Sequence, residues 1–268
     1  MLKTTSHIVC LCAIFSFSAA ASAQFNGLTS NPRVFNDYPN STLTITNSNS
    51  IPGSVTIDDR NLTNATGNGA NRHDVLLSKD HGATAYTFPT SEPFTISTNL
   101  RLTDGSNTPR KEAGIRINSP VTGDVLLIVN SDAGEIVSFG GGAQFHLFGN
   151  NGNSNGYTPG QTILLGMTYR PGVPSTTSAT PASIEYFINR GAGIETTGPL
   201  AWGNLEGGPS PTFQVGVYAQ GGSGNNASDF FTAQFTNLTA VPEPAGLGGL
   251  LLAGTAVAAR RRRGVKVG

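Results

Sequence analysis

Cysteine is nearly absent: the chain has two, Cys10 and Cys12, and both lie in an apolar stretch at its very start. If that stretch is removed, no disulfide, thiolate zinc site or cysteine nucleophile is available. Charge is also scarce, at 12% Asp, Glu, Lys and Arg, and nothing gathers the basic residues of the central region into a stripe, which argues against a nucleic-acid partner. Helix signals are nearly missing, and so are catalytic motifs. The acidic residues Glu112, Glu135 and Glu185 each lack an acidic partner two or four residues away, so no strand presents the paired carboxylates that glycoside hydrolysis needs.

What is present begins with two terminal addresses. Lys3, the apolar run Ile8 to Phe17 and the pattern Ala21-Ser22-Ala23 before Gln24 form a secretory signal peptide, with cleavage expected after Ala23. At the other end stand Val241-Pro242-Glu243-Pro244, an apolar run from Ala245 to Ala259, and Arg260, Arg261, Arg262 and Arg263 within a basic tail reaching residue 266. As a helix those 15 apolar residues reach ~22 Å, short of a hydrocarbon core of roughly 30 Å, and the arginines favour the cytoplasmic side. This tail, residues 241–268, resembles the PEP-CTERM sorting signal of Gram-negative bacteria. The resemblance implies transient insertion in the inner membrane, processing near Pro242-Glu243-Pro244 by an exosortase, and delivery to the cell surface or extracellular matrix. Signal peptidase and exosortase are then the expected partners during export. An uncleaved anchor is the alternative.

Between the addresses lie residues 24–240, with ten basic and fifteen acidic residues, a net charge of −5. Here the dominant period is two. Phe94, Ile96, Thr98, Leu100 and Leu102 alternate with polar residues, as do Ala113, Ile115 and Ile117; Ile163, Leu165, Met167 and Tyr169; Ile184, Tyr186 and Ile188; Phe213, Val215 and Val217; and Phe231, Ala233 and Phe235. Val125 to Val129 is apolar throughout, which predicts a strand covered on both faces. Asp104-Gly105-Ser106-Asn107 and Asp132-Ala133-Gly134 suit hairpins. About a dozen strands without helices predict an all-β, two-sheet antiparallel sandwich or jelly roll. The run from Phe94 to Leu238 resembles, in its pattern of strands, the concanavalin A-like, laminin-G-like jelly roll, whose concave side or rim loops often bind glycans.

Candidate binding residues follow from the alternation. Arg116, His146, Glu185, Phe187 and Tyr218 fall opposite the apolar faces, and Tyr157 and Trp202 lie near loops, where aromatic rings could stack on sugars. His73-Asp74 and Asp80-His81 flank an apolar run from Val75 and are read as turn residues. Asp58-Asp59, or Asp132 with Glu135, are the acids that could join a calcium site; no other cofactor is expected. On these grounds the chain is expected to be a non-catalytic surface or matrix protein, structural or bound to extracellular polysaccharide. A secreted carbohydrate-active enzyme, hydrolase or lyase, is the alternative.

Overall fold

The computed structural model describes residues 24–63, 65–66, 69–149, 156–172, 180–202, 212–223 and 226–242. The signal peptide, including Ala21 and Ala23, and the sorting tail from Glu243 and Pro244 through Arg260–Arg263 lie outside the described residues. Among those described there is no helix. Fifteen strands follow one another: β1 Gly27–Asn36, β2 Thr42–Asn47, β3 Gly53–Arg60, β4 Asn71–Ser78, β5 Thr87–Pro89, β6 Phe94–Asp104, β7 Lys111–Ser119, β8 Gly123–Asn130, β9 Ile136–Phe139, β10 His146–Leu147, β11 Thr162–Arg170, β12 Ser183–Asn189, β13 Ile194–Ala201, β14 Thr212–Gly221 and β15 Phe230–Pro242.

They form two antiparallel sheets. An eight-stranded sheet runs β1-β4-β14-β7-β8-β9-β10, with β5 also on β14, and a seven-stranded sheet runs β13-β12-β11-β6-β15-β3-β2. The two-residue period puts Phe94, Ile96, Leu100 and Leu102 of β6 against Ile115, Ile117, Val215 and Val217 of β7 and β14, all at 0% exposure between the sheets. At one end the layer closes with rings: Phe88, Phe94, Tyr169 and Trp202 each lie 5.2–6.0 Å from Phe213, centroid to centroid, and Phe94 lies 4.8 Å from Phe88 and 5.7 Å from Tyr169. Burying each such side chain stabilises the fold by roughly 1.5–3 kcal/mol.

Two expectations about connections are corrected. Asp132-Ala133-Gly134 does turn the β8–β9 hairpin, but Asp104 to Asn107 is no hairpin, because β6 and β7 lie in different sheets and this loop crosses between them. His73 and Asp74 are not turn residues either. They sit within β4, fully buried and on opposite faces. His73 points between the sheets, where Nδ1 accepts the Arg33 N–H at 3.0 Å and Nε2 meets Asp59 Oδ2 at 2.9 Å. With Nδ1 acting as acceptor, the ring proton sits on Nε2 and is donated to Asp59. Asn71 Nδ2 donates to the same oxygen at 2.7 Å. Burial opposes the charge on Asp59, yet these hydrogen bonds with those of Ser41 prevail and hold its carboxyl below the ordinary value. Arg33, at φ 56°, forms the bulge of β1 that brings its amide to His73.

Candidate functional site

The outward face of the eight-stranded sheet is the unusual surface of this molecule. Register places Asp74, Tyr218, Gly114, Ile128 and Val137 in one row across β4, β14, β7, β8 and β9. Flanking rows hold Arg72, Gln220, Glu112 and Asn130 on one side, and Leu76, Gly216, Arg116 and Leu126 on the other. Over β8 to β10 this face is apolar, with Leu126, Ile128 and Val137 packed beside Tyr218 and against Phe139 and Leu147. Val125 to Val129 is therefore covered on both faces, as its unbroken apolar run predicted.

Over β4, β14 and β7 the same face is ionic. Gly216 lies on β14 between Arg116 and Leu76, and its lack of a side chain leaves the long Arg116 side chain room to cross toward β4. A Cβ on Gly216 would collide with the Val75 carbonyl, so this crossing point tolerates only glycine. Arg116 Nη1 pairs with Asp74 Oδ2, and Arg116 Nη2 with Asp124 Oδ1 at 2.7 Å. Arg72 closes the ring, with Nε 3.2 Å from Asp74 Oδ1 and Nη1 2.7 Å from Asp124 Oδ2. Both oxygens of both aspartates are thus committed to arginine. Burial raises the Asp74 carboxyl above its ordinary value even though Arg116 and Arg72 pull it down. Each guanidinium keeps one buried N–H without a protein partner: Arg72 Nη2 and Arg116 Nε.

Tyr218 lies beneath this ring, with the Arg72 guanidinium 4.9 Å above its centroid and the half-exposed Phe35 ring 5.5 Å from the same group. Its phenol donates to Glu112 Oε1 at 3.0 Å. Burial drives the Tyr218 pKa well up, with the Glu112 charge adding to it, and burial likewise raises Glu112 against the opposing pull of the Tyr218 hydrogen bond and of Arg110 and Arg72. One row further along, Thr87, Gln214, Asn118 and Asp124 stand side by side on β5, β14, β7 and β8. There a depression of about 240 Å³ opens, lined by Thr87, Asn118, Pro120, Thr212, Phe213 and Gln214. Amide side chains at its wall suit the hydroxyls of a sugar ring.

Of the residues singled out from sequence, the structure brings together Arg116 and Tyr218 on this face. Glu185 is on the outward face of the other sheet, held by Arg170 at 2.9 Å and Thr196 Oγ1 at 2.8 Å. His146 pairs with Ser138 at the far edge strand, edge-on to Phe148 at 4.6 Å, while its neighbour Leu147 takes the outward position. Trp202 is corrected from a rim candidate to a core residue: it is 2% exposed and donates Nε1–H to the Gly141 carbonyl at 2.7 Å. Tyr157 is likewise buried, bonded to Leu102 and Gln161. The acids considered for calcium are otherwise engaged. Asp58 meets Arg60 and Thr232, Asp59 meets His73, and Arg110 spans Asp132 and Glu135.

Asp74, Arg72, Asp124 and Glu112 were not singled out as binding residues. The signal was there in part: Arg72-x-Asp74 and Glu112-x-x-x-Arg116 keep the two-residue period, but β4 reads from sequence as starting at Val75 because no apolar residue precedes it.

No protein-family model matches the sequence, and no curated protein sequence matches it. Solved structures of similar fold include the alginate lyase from Klebsiella pneumoniae (10% identity, 82% of this chain and 96% of that one, TM-score 0.48), the alginate lyase vAL-1 from Chlorella virus (10%, 82% and 93%, 0.45) and the winged bean acidic lectin complexed with methyl-α-D-galactose (12%, 80% and 96%, 0.41). At such identities the likeness is one of fold, the concanavalin-like antiparallel sandwich. The expectation of a non-catalytic protein is corrected to this extent: structures of similar fold include polysaccharide lyases as well as lectins, so the fold gives no ground for excluding an enzyme.

Proposed function

We propose that this protein is an exported carbohydrate-active enzyme that cleaves an acidic polysaccharide by β-elimination on the outward face of its eight-stranded sheet. The observation that carries the proposal is the Tyr218–Glu112 pair, two ionisable groups in hydrogen-bond contact whose pKa values burial has raised, lying beside two arginines that each keep an unpaired N–H. Perturbed titratable groups gathered on one face are a frequent mark of a functional site. Elimination at a uronic acid requires the carboxylate to be neutralised, the neighbouring carbon-bound proton removed and the departing glycosidic oxygen protonated. Arg72 Nη2 and Arg116 Nε are buried in the free protein and would serve as donors for that carboxylate once substrate displaces what covers them. Tyr218 and Glu112 supply the proton-transfer pair. A hydrolase is less well served. It needs two carboxylates at the scissile bond, and with Asp74 and Asp124 bound on both oxygens by arginine, this cluster leaves only Glu112.

The route to the substrate is part of the same proposal. The signal peptide would be cut to leave Gln24 first, and an exosortase would cut near Pro242-Glu243-Pro244, releasing the sandwich to the cell surface or extracellular matrix. Strand β15 pairs with β6 as far as Pro242, opposite Phe94, so a cut beyond that residue would leave those pairs in place.

Tyr218→Phe is the direct test, because it deletes one oxygen and keeps the ring under Arg72. Loss of a general acid or base costs on the order of 10²–10⁴ in rate, and we expect a fall in that range in the formation of unsaturated ends, read as ultraviolet absorbance. Glu185→Gln, on the opposite sheet, should leave the rate unchanged. Equal rates for wild type and Tyr218→Phe would place the reaction elsewhere.

A further inference from the structure

At the end of the sandwich away from the ring cluster, three charged residues occupy positions that the two-residue period assigns to the core. Lys111 precedes Ala113, Ile115 and Ile117 on the inward face of β7; Asp104 follows Leu100 and Leu102 on that of β6; and Asp229 stands two residues before Phe231, at the start of β15. Lys111 is 0% exposed and Asp229 1% exposed, and their Nζ and Oδ2 atoms are 2.8 Å apart. The lysine stem is enclosed by apolar neighbours: a Cβ added at Gly221 would touch both the Phe231 ring and Lys111 Cγ. Asp104 is opposite Phe231 in the ladder, and its Oδ2 is buried with no hydrogen-bond partner.

We propose that Lys111 and Asp229 condense spontaneously after folding into an isopeptide crosslink joining the two sheets, with Asp104 as the proton-transfer residue. The amine and the carboxyl are already in contact, sealed from water, and held from both sides. Lys111 Nζ donates to the Ser106 carbonyl at 2.8 Å and to Ser106 Oγ at 3.1 Å, while the Phe230 N–H donates to Asp229 Oδ1 at 3.0 Å. Such fixed juxtaposition is worth many orders of magnitude in effective concentration. Along the Nζ–H···Oδ2 bond a proton passes from the ammonium to the carboxylate, giving a neutral amine beside a neutral acid. The amine attacks Cγ, and the Phe230 N–H stabilises the oxygen that gains charge. The departing hydroxyl gains a proton and the nitrogen gives one up, relayed through Asp104, which feels the charges of both groups but makes no ion pair with Lys111 before the reaction. The N–Cγ bond forms, the Cγ–O bond breaks and one water leaves, so an ammonium and a carboxylate become an amide and water with no co-reactant. Burial, together with the nearby Asp229 charge, raises the Asp104 carboxyl above its ordinary value against the pull of Lys111 and Ser131, which favours the protonated form that this shuttle uses.

The bond would do for this chain what a disulfide does elsewhere, since its only cysteines are Cys10 and Cys12. It does not depend on the glycan-cleaving role of the outward face. The test is peptide mapping of the purified full chain, denatured and digested, by tandem mass spectrometry. The expected result is a branched peptide joining the Lys111 and Asp229 segments, lighter by one water than the two together, with no cleavage after Lys111 by trypsin. Asp104→Asn should fold and keep the ion pair but lose most of the branched peptide. Recovery of unlinked Lys111 and Asp229 segments from natively folded wild type would overturn the crosslink, and undiminished linkage in Asp104→Asn would remove Asp104 from it.

Discussion

At the scale of single residues, the fold spends charge where sequence reading expects none. Arg116 and Tyr218 are legible as outward residues because they alternate with Ile115, Ile117, Val215 and Val217. Their partners Asp74 and Arg72 are not, since nothing apolar precedes Val75 to announce the strand. Trp202 was out of reach for another reason: a lone tryptophan after a strand carries no period, and only the packing against Tyr169 and Phe213 puts it inside. Arg116 also shows why an outward position need not be dispensable. Removing it would leave the buried Asp74 carboxylate with Arg72 alone, a loss of up to about 3–5 kcal/mol for a broken buried pair. Asp80 makes a cleaner case for pH. Its carboxylate accepts from Ser78 Oγ, Thr84 N at 2.9 Å and Thr84 Oγ1 at 2.5 Å, and these bonds lower its pKa from 3.8 to about 2 although the group is exposed. A depressed carboxyl contributes stability above its unfolded value and loses it as pH falls through the folded one. Wild type should therefore exceed Asp80→Ala in denaturant midpoint above pH 3.8, with the gap closing as pH falls toward 2. A gap independent of pH would show that the charge on Asp80 plays no part.

At the scale of elements, most strands were legible because one face of each is sealed. In β6, β11, β12, β14 and β15 the inward residues predicted from alternation are the buried ones. What alternation cannot carry is pairing. Periodicity gives the face of a strand and leaves its neighbours open, so the Asp104–Asn107 loop looked like a hairpin when it crosses between sheets. Edge strands were the weakest signals: β2 and β13 are largely open to solvent, β2 alternates over only six residues, and β13 alternates little in polarity. The face assignment can be tested within adjacent strands. Ile115→Asp puts a carboxylate between the sheets without a partner, costing several kcal/mol against a total of roughly 5–15, and should abolish the folded state in a denaturant titration. Gln214→Ala, at the partly exposed wall of the depression, should change stability by no more than about 0.5 kcal/mol. Equal losses in the two variants would contradict the assignment of Ile115 to the inward face and Gln214 to the outward one.

At the scale of the whole molecule, the two sheets play different parts. The seven-stranded sheet presents ordinary outward polar residues such as Glu185 with Arg170, whereas the eight-stranded sheet turns outward an ion ring, a buried tyrosine and a glutamic acid, with a depression further along the same face. A solvent-facing sheet surface does not need arginines at 5% exposure or carboxyls that burial makes harder to ionise. Such an arrangement costs stability, and under the proposed function it serves proton transfer on an anionic glycan. The most direct measurement is to incubate the purified protein with a panel of uronic-acid and neutral polysaccharides and follow ultraviolet absorbance and product mass. Elimination on this face predicts chain cleavage with unsaturated non-reducing ends on at least one uronate polymer and none on neutral chains. Shortened products that have gained water instead of a double bond, or no cleavage of any uronate polymer, would contradict it.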